Sequence, residues 1–87
     1  MEKEKISLFD FHLELFKVIQ LSREVNDEQS ADYVHATLKS LIESLTEEQV
    51  KQINSLIFKR ATDVLFNLEN KCSAEYIQSI SQNELTM

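Results

Sequence analysis

The residues able to do covalent or metal chemistry are few: His12, His35 and Cys72, among carboxylates scattered along 87 residues. Structural zinc takes four ligands, usually drawn in closely spaced pairs. Here the three donors come from three separate segments, and no two stand at the i, i+4 spacing of one helix face. Cys72 as a nucleophile needs a base beside it and a lowered thiol pKa. Its neighbour Lys71 points elsewhere if the segment is helical. The acids mark no catalytic pair, and a phosphate-cradling loop needs glycine, which is absent. The pattern predicts no enzyme, no metal and no cofactor, with Cys72 as a small, half-buried residue.

That absence of glycine is the strongest constraint on the elements. The chain has no Gly and no Pro, where average usage gives about six and about four. Without residues that supply positive φ or fixed turns, tight hairpins are hard to build. The expected fold is all-α, with short connections made from Asn, Asp, Ser and Thr. Apolar residues make up 43 % and charged residues 28 %, enough to fold one domain over 1–87, with 1–6 and 82–87 frayed.

The periodicity predicts a small helical bundle of three main helices and a short C-terminal helix. The first spans about 8–25, capped by Ser7 and closed by Asn26 in the left-handed conformation. The second, about 30–44, carries a narrow seam of Ala31, Val34, Leu38, Leu41 and Leu45, with His35 at its border. Asp32, Lys39 and Glu43 lie on its watery side. Thr46-Glu47-Glu48-Gln49 matches a capping box and opens a third helix over about 47–70. The connection of about two to three residues makes helices two and three an antiparallel αα-hairpin. Ser73 caps a fourth helix from Ala74 to about Ser81, or helix three runs straight through to Ile80; the sequence leaves both open.

Function has to be read from surfaces. In the first helix Leu8, Leu15 and Ile19 fall on one line, with Phe9 and Phe16 to one side and Phe11 and Val18 to the other. This arc exceeds half the circumference, against a stripe of about 100° on an ordinary surface helix. Phe66 and Leu56 also fall off the main face of the third helix. Phe11, Val18, Leu56 and Phe66 are therefore the candidate partner interface, and a homodimer is the simplest cover. His12, on the apolar line, is a core or interface histidine and a candidate pH-sensitive group.

A net charge of −6 opposes phosphate. A helix–turn–helix reading would put Glu47 and Glu48 where base contacts belong, with only Lys51, Lys59 and Arg60 as a basic group. No stretch approaches the roughly 20 apolar residues of a membrane span. A single cysteine and no secretory signal point to a reducing cytoplasm. The expected function is a non-catalytic protein–protein interaction module, a small cytoplasmic regulator, adaptor or inhibitor acting as a homodimer. The alternatives are a DNA-associated transcriptional regulator, and a dedicated chaperone or immunity-type protein blocking a basic partner.

Overall fold

The computed structural model describes residues 6–85, and side chains from residue 6 to residue 80. Five helices occupy about 80 % of the described residues, and no strand occurs among them. They are α1 (Leu8–Arg23), α2 (Glu28–Glu43), α3 (Glu47–Gln52), α4 (Ser55–Glu69) and α5 (Ala74–Leu85).

Each start is fixed by a side chain the sequence supplies locally. Ser7 Oγ accepts from the Asp10 N–H at 3.0 Å, and the Asp27 carboxylate accepts from the Ser30 N–H at 2.7 Å. These bonds satisfy first-turn donors that have no partner within their own helix. At α3 the capping box is complete: Thr46 Oγ1 accepts from the Gln49 N–H at 3.1 Å, and Gln49 Oε1 accepts from the Thr46 N–H at 2.9 Å. Replacing Thr46 with Ala should cost about 1 kcal/mol. A lowered urea midpoint at unchanged helix content is the expected readout, and an unchanged midpoint would remove the cap from the account.

Two contacts set the topology. The Gln49 side chain donates to the Ile6 carbonyl, so the start of α1 lies beside the end of α2. Asp32, early in α2, accepts from Ser73 just past α4. Helix α2 therefore runs antiparallel to α1 and to α4; the second pairing is the expected antiparallel one, but its connection is residues 44–54 with α3 inside it, not a turn of two to three residues. All three pack on one another. Phe11, Leu15 and Val18 of α1 meet Val34 and Leu38 of α2 and Ala61 and Leu68 of α4 in the core.

Four expectations are corrected. The helix from Thr46 is not continuous to Asn70. Ile53 and Asn54 adopt extended backbone, with ψ of 147° and 128°, and split it into α3 and α4. Asn54 prefers bonding a nearby N–H to sitting inside a helix, and its side chain accepts from the Leu56 N–H at 2.8 Å. The break also turns Ile53 into the core. Secondly, Asn26 does not close α1 in the left-handed region. Glu24 ends it in right-handed geometry, its N–H donating to the Leu21 carbonyl and that of Val25 to the Ser22 carbonyl, and no described residue has positive φ. Asp27 then starts α2 two residues earlier than expected.

The third correction is at the C-terminal end, where α5 runs to Leu85 rather than to about Ser81. Of the residues expected to fray, Ile6 is half-buried against the core and bonded by Gln49, while 1–5 and 86–87 lie outside the described residues. Helix α5 is a separate element, opened by Ser73 Oγ accepting from the Tyr76 N–H at 3.1 Å. The fourth concerns Phe11 and Val18. Both are buried among the core residues, Phe11 completely, so neither is available as partner surface. The core stripe of α1 is Phe11–Leu15–Val18, rotated from the line through Leu8, Leu15 and Ile19.

Candidate functional site

With Phe11 and Val18 inside, the surplus of α1 is a different set. Phe9, Leu13 and Phe16 are 71 %, 46 % and 63 % exposed. At 3.6 residues per turn they fall within about 60° of one another, on the side away from the core. Helix α1 therefore carries two stripes of identical i, i+4, i+7 spacing, one buried and one bare. Sequence reasoning placed Phe9 and Phe16 beside the main line but did not select them, because spacing alone does not say which stripe faces inward.

Leu56 and Phe66 are exposed as expected, at 74 % and 69 %. Ten residues apart on α4, they lie about 15 Å from each other along the axis and form no joint patch. His12 is half-buried, with its ring edge-on to Phe11 at 6.0 Å between centroids. Its Nε2 is shielded from solvent and has no hydrogen-bond partner.

A second cluster joins α2, α4 and α5. His35 was expected at a boundary but is only 1 % exposed, because α5 folds back over it. Its Nδ1 lies 2.8 Å from the Tyr76 hydroxyl, and the two rings meet edge to face at 5.3 Å. The other ring nitrogen is buried without a partner. One turn earlier, Asp32 accepts from the Ser73 N–H at 2.9 Å and from the Ser73 hydroxyl at 2.7 Å. Asp32 is thus half-buried rather than simply in water.

Burial and hydrogen bonding shift the titratable groups of this junction in different directions. Burial pushes the Cys72 thiol up to about 11, helped by its bond to Asp32 and by the charges of Asp32 and Glu69. A thiol held protonated is a poor nucleophile. Burial lowers the His35 imidazole, Lys39 lowers it further, and Glu69 and Asp32 oppose the shift. Burial alone would raise the Asp32 carboxyl. Hydrogen bonds from the Ser73 hydroxyl and N–H and from Cys72 outweigh it and leave the group below its ordinary value.

Other features offer less. An open groove of about 410 Å³ runs between the end of α1 and the start of α2, past Leu21, Val25, Ser30 and Tyr33. Its lining mixes apolar side chains with Glu24, Gln29 and Ser30. Among the described residues no three His, Cys, Asp or Glu side chains converge on a common point, and no helix is long and apolar enough to cross a membrane. On α4, Lys59 lies 3.5 Å from Asp63, so its charge is balanced locally. Compared with protein-family models, curated proteins and solved structures, the chain has no significant match.

Proposed function

We propose that this chain is a non-catalytic protein–protein interaction module, a small regulator, adaptor or inhibitor of the cytoplasm, acting as a homodimer through the outer face of α1. The observation that supports it is the bare stripe of Phe9, Leu13 and Phe16 opposite the core. Single exposed apolar residues are ordinary on a monomer. Three large ones aligned over two turns form a contiguous patch, and such patches mark interaction surfaces.

A dimer gains the apolar burial of this stripe and must set it against the cost of association. Fully burying a Leu or Phe side chain gains about 1.5–3 kcal/mol, less here because each is already partly covered. Three from each copy must offset an association cost of roughly 4–15 kcal/mol. On this reading, static light scattering at tens of micromolar should report twice the chain mass. Phe9→Glu and Phe16→Glu should each return it to the monomer mass at unchanged helix content, since neither side chain supports the core. A wild-type chain that stays monomeric throughout that range would overturn the homodimer.

A further inference from the structure

The stripe on α1 has a direction written into its flank. Phe9, Leu13 and Phe16 follow a four–three spacing that Gln20 continues, the seam of two helices packed side by side. Asp10 and Lys17 lie seven residues apart on one flank of that seam, within about 20° of each other around the helix. When two identical helices meet face to face and run antiparallel, their twofold axis lies across them, and each flank meets the same flank of the other copy. Asp10 of each copy then stands opposite Lys17 of the second copy, twice. In a parallel pair that flank would instead meet the one carrying His12 and Ile19, and neither charge would find an opposite.

We propose that α1 docks on α1 of a second copy of this chain in an antiparallel twofold pair. Leu13 lies against Phe16 of the second copy, Phe9 lies against Gln20, and reciprocal Asp10–Lys17 pairs close one flank. This rests on the homodimer reading above and adds its direction and register. Charge also selects the occupant. The chain carries −6 overall, yet α1 sets Asp10 and Glu14 against Lys17 and Arg23, so two acidic copies meet along a helix that balances itself. A strongly basic partner would find less attraction here than on α2 or α5. Lys17 already lies 3.3 Å from Glu14, with both side chains more than half exposed. That pair is weak enough for Lys17 to turn toward a second copy.

The test uses two exposed substitutions. Asp10→Lys alone sets lysine against lysine in both flank pairs, and Lys17→Asp alone sets acid against acid. Each should weaken self-association roughly tenfold. Mixed one to one, the two variants should form a heterodimer, seen by native mass spectrometry, at close to the wild-type affinity. A dimer whose affinity ignores both swaps, with no preference for the mixed pair, overturns this arrangement and leaves the homodimer standing. A monomeric wild-type chain overturns both. A spin label at Arg23→Cys in a Cys72→Ser background reads the direction independently. The antiparallel pair holds the two labels about 25 Å apart along the axis, whereas side-by-side labels would mean a parallel dimer and defeat the proposal.

Discussion

Phe11→Ala should lower the stability of the fold by about 3–5 kcal/mol, whereas Phe16→Ala should change it by no more than about 0.5 kcal/mol. The two residues are the same type in the same helix, so intrinsic propensity is identical and only surroundings differ. Phe11 is fully buried in the cluster with Leu15, Val18 and Leu38. Truncating it loses the transfer free energy of the ring and leaves a cavity that rigid neighbours fill only in part. A domain of this length has roughly 4–13 kcal/mol of total stability, so the loss is a large share of it. Phe16 has most of its ring in water and leaves no cavity. Urea denaturation should be run at a protein concentration low enough to keep both variants monomeric, because dimerisation adds apparent stability by mass action. Equal effects, or a larger one at Phe16, would mean that the other stripe of α1 faces inward.

That comparison marks where sequence reasoning stops. The absence of Gly and Pro made the all-α class legible, and Ser7, Thr46 and Ser73 each announced a cap through local chemistry that needs no tertiary information. The excess apolar arc of α1 was legible too. Its division was not: Phe11–Leu15–Val18 and Phe9–Leu13–Phe16 have the same spacing, and only the positions of α2 and α4 choose between them. The break at Ile53 and Asn54 had a signal, since an Asn-Ser pair inside a helical pattern is a ready N-cap. It was outweighed by the apolar period running from Val50 through Leu68. For His35 the signal was only partial, a place at the border of the seam. Its burial depends on Tyr76, 41 residues away in sequence, and nothing around His35 reports that α5 returns over it.

The same junction should make the fold lose stability as pH falls from about 7.5 to about 5. His35 is held below the ordinary imidazole value, chiefly by burial. The unfolded chain therefore takes up a proton at higher pH than the folded one, near about 6.5. As the pH drops through that value, protonation favours the unfolded state, at up to about 1.4 kcal/mol per pH unit for a single group. The structural cause is direct. Nδ1 already faces the Tyr76 hydroxyl, so the imidazolium would carry its second N–H at a buried nitrogen with no acceptor. Asp27 and Asp32 act in a lower window. Their carboxyls are held below the ordinary 3.8, so their contribution is present above that value and is lost only as pH falls through the folded pKa. The descent from 7.5 to 5 thus separates the histidine from the acids. His35→Leu combined with Tyr76→Phe replaces both partners with apolar groups of similar shape, a change that can be nearly neutral. The urea midpoint of this double variant should depend less steeply on pH across the window than that of the wild-type chain. His12 is present in both proteins and so drops out of the comparison. Identical slopes would show that His35 does not link proton uptake to unfolding, and that the contact holding α5 onto α2 and α4 is indifferent to its charge.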